Sequence, residues 1–163
     1  MSTAELMETA QRRALIEDFH VRYCDALDSA RFEEWPGFFT DDAVYNVLSR
    51  ENFDLGLPLG VFMCDGKPMF LDRIAALEAL VYAPRYLRHF VSNIMVLKTG
   101  RDGVVEAQSN YLVTQTAIDE ETKVFQSGRY LDEFVAVGGA LKLRRRLCIY
   151  DSLLIQNTIM FPV

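Results

Sequence analysis

Four long strand-like runs fill the second half of this sequence and constrain its fold more than any other feature. They lie near residues 87–98, 104–117, 123–137 and 140–155. The segments between them, "TGRDG", "DEE" and "GG", are each short enough for a hairpin turn. Because strands joined by hairpins pair in antiparallel fashion, the pattern predicts a meander and excludes a parallel sheet built with crossover helices.

The first half of the chain is predicted to be mainly helical. Apolar residues recur at helical spacing from Glu5 to about Asp28, and Pro68 is placed to begin a second helix that runs to about Tyr82. Two short strands, "DDAVYNVLS" and "VFMC", lie between the helices. Helices followed by a meander predict one α+β domain over residues 1–163, in which a strongly bent antiparallel sheet wraps around the long first helix.

The net charge and the lack of a long apolar run limit the partners that this chain is expected to have. The net charge is −6 at pH 7, and without a broad basic face nucleic acid is not expected as a partner. No apolar run approaches the ~20 residues that cross a bilayer, and the N-terminal segment lacks a signal-peptide pattern.

Three widely spaced cysteines indicate reduced thiols in a cytoplasmic protein. Of these, Cys64 and Cys148 are interpreted as core residues, since free cysteine is among the most buried residue types.

Motifs for cofactor chemistry are missing from the sequence. There is no glycine-rich phosphate loop. A non-haem iron triad requires two histidines and a carboxylate at one metal, and nothing in the spacing brings His20 to His89, the two histidines of the chain. A Rieske cluster requires two cysteines and two histidines in close pairs, which are also missing. The sequence therefore predicts no metal or cofactor site in this chain.

His89 is the one candidate for acid–base chemistry. It begins a predicted strand, where Asp28, Asp41 or Asp42 could approach it. An Asp–His pair in a dry cavity can act as a general base near neutral pH. We favour a structural histidine, packed and hydrogen-bonded at the sheet edge. A stand-alone lyase or isomerase that uses His89 stays open as an alternative, as does a small-molecule-binding module without chemistry.

The glycine pair at 138–139 predicts the register of the last hairpin. A two-residue turn pairs the residues that flank it, and counting outward places Arg144 opposite Glu133 and Arg145 opposite Asp132. Arg145 then shares its sheet face with an apolar row, where an unpaired guanidinium would be costly to bury. We therefore expect a structural ion pair between Arg145 and Asp132.

The opposite face of the last strand and the tail beyond it form a predicted interface. This face is expected to carry arginines, and no charged residue follows Asp151. An arginine-bearing face followed by an apolar end suits an interface with an apolar centre and a charged rim. We expect a neighbouring subunit to cover it. The candidate interface residues are Arg144, Arg146, Tyr150, Ile159, Met160 and Phe161.

Four segments of the chain resemble the small (β) subunit of aromatic-ring-hydroxylating dioxygenases. They are "YCDALDSARFEEWPGFFTDDAVY", "DRIAALEALVYAPRYLRHFVSN", "VFQSGRYLDEF" and "RRRLCIYDS". They occur in the order and at the spacing of that family, and the likeness covers nearly the whole chain. Finer similarity, to β subunits of the terephthalate dioxygenase and salicylate 5-hydroxylase type, lies in "WPGFFTDD", "ENFDLGLPLG" and "NTIMFPV".

The resemblance implies a fold similar to nuclear transport factor 2, scytalone dehydratase and ketosteroid isomerase, in which sheet and helices form a cone. It implies an assembly of three large (α) and three β chains, with the Rieske iron–sulfur cluster and the mononuclear iron on the α chain. No cofactor and no catalytic residue of the β chain is implied. The chain is thus expected to be the structural subunit of an oxygenase that hydroxylates an aromatic, carboxylated ring. In isolation it is expected to be inactive and to self-associate as a trimer or dimer.

Overall fold

The computed structural model describes residues 2–79, 85–152 and 161–163 of the chain. The helical elements are α1 (Thr3–Asp28), a 3-10 helix (Phe32–Phe38), α2 (Arg50–Asp54) and α3 (Lys67–Ala79). The strands are β1 (Phe39–Ser49), β2 (Phe62–Asp65), β3 (Arg85–Thr99), β4 (Val105–Ala117), β5 (Lys123–Val137) and β6 (Ala140–Tyr150). The predicted helices and the predicted four-strand meander are confirmed within these residues; the end of the second helix, predicted near Tyr82, lies outside them.

One six-stranded sheet, in the order β2-β1-β6-β5-β4-β3, forms the body of the fold. The last four strands pair in sequence as antiparallel neighbours, as predicted. The pairing of β1 with β6 is parallel, with Tyr45 opposite Arg146. The α+β class is confirmed, but the predicted sheet was wholly antiparallel and this pair is not. The reason is that β1 joins the edge of the meander left open by β6, and no local turn specifies that choice.

Helix α1 begins at a capping box and ends where the chain turns toward β1. The Ser2 side chain accepts a hydrogen bond from the Glu5 backbone N–H, and the Glu5 side chain in turn accepts from the Ser2 backbone N–H. One stripe of the helix is buried: Ile16, Phe19, His20, Tyr23, Ala26 and Leu27. This stripe lies at helical spacing and packs chiefly against β3, with further contacts to the 3-10 helix and β6.

Aromatic side chains fill the core between the 3-10 helix, β1 and α3. Trp35 is fully buried and packs against the rings of Phe39, Tyr45 and Phe70 at centroid distances of 4.8–5.4 Å. Its indole N–H donates to the hydroxyl of Tyr23 at 2.9 Å. A buried tryptophan usually finds such a partner, because its N–H would otherwise be an unpaired donor.

Residues 161–163 lie in the core of the same chain. The Val163 oxygen accepts hydrogen bonds from the hydroxyls of Tyr23 at 3.2 Å and Tyr45 at 3.1 Å, and the Val163 N–H donates to the Tyr45 hydroxyl at 3.0 Å. The ring of Phe161 packs on Phe32 at 5.4 Å. Phe161 is thus half-buried against its own domain, and its contact with a neighbouring subunit stays a prediction. Ile159 and Met160 lie outside the described residues.

Two positions show why glycine is used in the last hairpin and beside it. Gly138 and Gly139 both have positive φ, at 60° and 80°, and form the predicted two-residue turn. Gly128 in β5 lies opposite Tyr150, and a Cβ atom there would come within 2.0 Å of the Ile149 carbonyl oxygen. Strands β5 and β6 thus approach each other more closely at Gly128 than any side chain permits.

Within residues 2–79, 85–152 and 161–163, no helix combines the length and apolar character that crossing a membrane requires.

Candidate functional site

The interior of the bent sheet holds a buried ion pair between Arg146 and Asp132. The Nε atom of Arg146 donates to Asp132 Oδ1 and its Nη2 atom to Asp132 Oδ2, both at 2.8 Å. Both side chains are essentially excluded from solvent. Burial alone would lower the pKa of Arg146, but the charge and hydrogen bonds of Asp132 raise it well above its usual range. The two-pronged geometry is the strong form of an ion pair.

This pair corrects the predicted partner of Asp132, which was Arg145. A register shift between Glu133 and Phe134 leaves one extra residue on β6, so that Arg145 lies opposite Glu133 and Arg146 opposite Asp132. An inserted residue of this kind is a β-bulge, and it reverses which side chains face inward. Arg145 is consequently half exposed, with its Nη1 atom 3.8 Å from Glu133 Oε1.

The same register shift corrects two of the interface candidates. Arg146 and Tyr150 point into the core and are buried, so neither is available to a partner. Arg144 remains at the surface, where its Nη2 atom donates to Glu133 Oε2 at 2.7 Å. Of the residues proposed on the last strand, only Arg144 keeps an outward-facing position.

Two tyrosine rings enclose the guanidinium of Arg146. The Cζ atom lies 4.4 Å from the ring centroid of Tyr23 and 4.1 Å from that of Tyr130. Tyr111 stacks on Tyr130 at 4.3 Å and continues the layer. Rings above and below stabilise a desolvated cation through their negative faces. The space at the centre of the sheet is thus filled by the chain's own side chains.

His20 completes this buried cluster from α1. Its Nδ1 atom lies 3.4 Å from Arg146 Nη2, close enough to accept a hydrogen bond, and its ring stacks on Tyr130. Burial, and secondly the Arg146 charge, lower the pKa of His20 well below its ordinary value. A neutral His20 that accepts from an arginine is a packing partner and is not poised to donate a proton.

His89 is paired with Asp28, one of the three carboxylates considered for it. The His89 Nδ1 atom lies 2.6 Å from Asp28 Oδ1, and the His89 backbone N–H donates to the same carboxylate at 3.1 and 3.2 Å. Arg88 approaches the other side of Asp28 at 3.7 Å. Both His89 and Asp28 are buried at the side chain. The contact joins the last residue of α1 to β3.

The structure places His20 and His89 on the same cleft, which nothing in their sequence spacing indicates. Both line one cleft of about 160 Å³ between α1 and β3, together with Cys24 on the helix. The helix lies across the strand, which brings together residues far apart in sequence. Nevertheless, within the part of the chain that the structure describes, no group of three or more His, Cys, Asp or Glu residues is placed to hold a metal ion. The described side chains therefore do not fit an iron centre.

The other two cysteines lie in the core, as interpreted. Cys64 and Cys148 are both fully buried. Burial raises the pKa of Cys148 to about 12 and that of Cys64 to about 11. Thiols held in the neutral form are poor nucleophiles, so neither residue suits covalent catalysis.

Comparison with known proteins gives a consistent result. The chain is 36% identical to the small subunit of anthranilate 1,2-dioxygenase from Burkholderia cepacia over 87% of this chain and 88% of that protein. It is 34% identical to a β subunit of the terminal oxygenase component of terephthalate 1,2-dioxygenase from a Comamonas species, over 91% of this chain and 96% of that one.

Solved structures agree with the sequence relatives. A crystal structure assigned as the β subunit of an aromatic-ring-hydroxylating dioxygenase from Novosphingobium aromaticivorans superposes with a TM-score of 0.84 at 39% identity, covering 93% of this chain and 96% of that one. Structures at 20–21% identity, one of them assigned as a scytalone dehydratase, share the fold alone. The sequence model of the family described as "Ring hydroxylating beta subunit" matches residues 22–157. The chain therefore belongs to the family of β subunits of aromatic-ring-hydroxylating dioxygenases, and as such is part of an oxidoreductase complex.

Proposed function

We propose that this chain is the non-catalytic, structural subunit of a multicomponent Rieske non-haem iron oxygenase that hydroxylates an aromatic, carboxylated ring. In this proposal the large (α) subunit carries the iron–sulfur cluster and the mononuclear iron, three α and three β chains assemble, and the complex works in the cytoplasm. A ring that carries a carboxylate is supported by the relatives, which are named for anthranilate and terephthalate.

The observation that carries a structural role is the filled interior of the sheet. Arg146 occupies the centre, between Tyr23 and Tyr130 and bonded to Asp132. A buried ion pair with rings on both sides rigidifies a core, and it leaves its members no freedom to take part in acid–base chemistry. The domain then serves as a platform for assembly, and Arg144 on its outer face stays a candidate contact.

The proposal is tested by co-expression with a large (α) subunit of the same oxygenase family, taken from the same genome. We expect the two chains to elute together, and the complex to contain iron and to consume oxygen with anthranilate or terephthalate as substrate. The isolated β chain is expected to contain no stoichiometric iron and to consume no oxygen. Elemental analysis and an oxygen electrode give both readouts. Stoichiometric iron in the gently purified β chain, or its failure to associate with any α chain, would contradict the proposal.

A second candidate function rests on the short contact between Asp28 and His89. The distance of 2.6 Å between His89 Nδ1 and Asp28 Oδ1 is that of an Asp–His pair acting as a general base. A lyase or isomerase that uses His89 would require such a pair. The same contact also joins α1 to β3 through the backbone N–H of His89. We favour the structural role because the Asp28 carboxylate accepts from both the ring and the backbone of one residue.

Replacing His89 by alanine is expected to lower the free energy of unfolding by about 1–3 kcal/mol, because buried Asp28 loses its ring partner. Urea unfolding measures this change. Arg88→Ala is the matched control, since its exposed side chain lies farther from Asp28, and it should change stability by less than about 1 kcal/mol. If the isolated chain catalyses a dehydration or isomerisation, and His89→Ala abolishes it with circular dichroism unchanged, the enzyme alternative is correct.

A further inference from the structure

His20 is the point at which helix α1 touches the buried ion pair of the sheet. Only 3% of its surface is exposed. Its ring stacks on Tyr130 at a centroid distance of 5.9 Å and meets Phe134 edge-on at 6.2 Å. With so little contact with water, a charge on this ring would have to be stabilised by protein groups alone.

The contact with Arg146 requires the Nδ1 atom of His20 to be unprotonated. Arg146 Nη2 lies 3.4 Å from this nitrogen, and a guanidinium can only donate. Nδ1 is therefore the acceptor, and the proton of the neutral ring is on Nε2, which lies 3.8 Å from Asp132 Oδ2. A second proton, added to Nδ1, would place two donors and two positive charges against each other.

The carboxylate of this cluster is already committed to Arg146. Both oxygens of Asp132 accept from the guanidinium at 2.8 Å, whereas His20 Nε2 at 3.8 Å is too far from Asp132 for a hydrogen bond. Tyr130 adds no negative charge, because burial raises its pKa well above the ordinary value. A protonated His20 would thus leave two cations and one anion in the core, which is costly.

The titratable groups on the cleft beside His20 do not supply a second anion in the core. From α1, Glu17 is exposed to water, and burial raises the pKa of the Cys24 thiol to about 12. From β3, His89 contacts the carboxylate of Asp28 at 2.6 Å, so this carboxylate is also committed. The geometry agrees with the low pKa of His20, which burial and secondly the Arg146 charge produce.

We propose that His20 is a proton-sensitive contact between α1 and the sheet: the folded domain holds this ring neutral, and uptake of one proton in mildly acidic solution opposes folding. Because the pKa of His20 is lower in the folded chain than its ordinary value of 6.5, the unfolded chain takes up the proton first as the pH falls. The contribution of neutral His20 to stability is therefore complete above pH 6.5. Below that pH, the ratio of folded to unfolded chain falls by about tenfold per pH unit, until the ring is protonated in the folded chain as well. The contact lies within one chain, so it does not depend on the proposed role in an oxygenase.

Urea unfolding of the full chain at pH 7.5, 6.5, 5.5 and 5.0 measures this ratio. Between pH 7.5 and 5.0 we expect it to fall about thirtyfold more in the parent chain than in His20→Gln, whose amide does not titrate but can still accept from Arg146. His89→Gln is the matched control, because it removes the other histidine of the same cleft and leaves the contact with Arg146 in place. It should keep the loss. An equal pH dependence in the parent chain and His20→Gln, or a loss that disappears only in His89→Gln, overturns the proposal.

A measurement on the unsubstituted chain decides the question if His20→Gln does not fold. The ring C–H resonances of His20, followed by nuclear magnetic resonance, should keep the chemical shift of a neutral ring from pH 7.5 to 5.0 in the folded chain. In concentrated urea the same resonances should titrate near pH 6.5. A midpoint at or above pH 6.5 in the folded chain overturns the proposal.

Discussion

Replacing Arg146 by methionine is expected to lower the free energy of unfolding by about 3–5 kcal/mol, the range found when one member of a buried ion pair is removed. The substitution keeps most of the volume between Tyr23 and Tyr130 but leaves the Asp132 carboxylate buried without its two hydrogen bonds. An uncompensated charge in the core is the main cost. Urea unfolding followed by circular dichroism measures the loss.

Arg145→Met is the matched control, since it removes the neighbouring arginine from the surface. Its half-exposed side chain lies 3.8 Å from Glu133, and its loss should cost less than about 1 kcal/mol. Combining Arg146→Met with Asp132→Leu should restore much of the stability, because no buried charge is then left alone. If Arg145→Met and Arg146→Met lower the free energy of unfolding equally, the ion pair between Arg146 and Asp132 is not the cause of the loss.

Replacing Gly128 by alanine is expected to destabilise the chain by about 3 kcal/mol, at the upper end of what overpacking costs. The added Cβ atom would lie 2.0 Å from the Ile149 carbonyl oxygen and 2.9 Å from the Tyr150 Cα. Both are backbone atoms, which cannot rotate away as a side chain can. Strands β5 and β6 would have to separate locally, with loss of the hydrogen bonds near Tyr150.

Gly37→Ala provides the comparison for this substitution. Gly37 lies in the 3-10 helix at negative φ, and a Cβ atom there meets nothing within 4 Å. The change should leave stability within about 0.5 kcal/mol, or raise it slightly by restricting the unfolded chain. Thermal unfolding of the two variants in parallel tests whether close strand approach is the cause. If the thermal unfolding midpoint of Gly128→Ala equals that of Gly37→Ala, close strand approach at Gly128 is ruled out as a cause of destabilisation.

The elements of this fold were predictable because their signals are local. Periodicity predicted α1, turn segments predicted the four-strand meander, and the glycines at 138–139 predicted the last turn. The bulge beyond that turn was not predictable: three successive arginines offer identical side chains for one carboxylate, and counting from the turn assumes a regular ladder. A single extra residue in β6 decides that Arg146, and not Arg145, reaches Asp132.

The remaining differences concern contacts between distant segments. Neither the parallel pairing of β1 with β6 nor the placement of His20 and His89 on one cleft is encoded by residues that are neighbours in sequence. At the end of the uncharged tail, residues 161–163 are covered by the chain itself, and composition alone cannot distinguish a partner's surface from the chain's own core. Residues 161–163 are held in the chain's own core because the hydroxyls of Tyr23 and Tyr45 donate hydrogen bonds to the Val163 oxygen.

The position of Val163 also bears on how the chain folds. Its hydrogen bonds to Tyr23 and Tyr45 span 140 and 118 residues of sequence. Contacts of such separation require a large loop to close before they contribute stability, so they slow folding and form late. The core around Trp35 is thus incomplete until the meander has formed and residues 161–163 dock. Trp35 is the only tryptophan and is bonded to Tyr23, so its fluorescence reports that closing step.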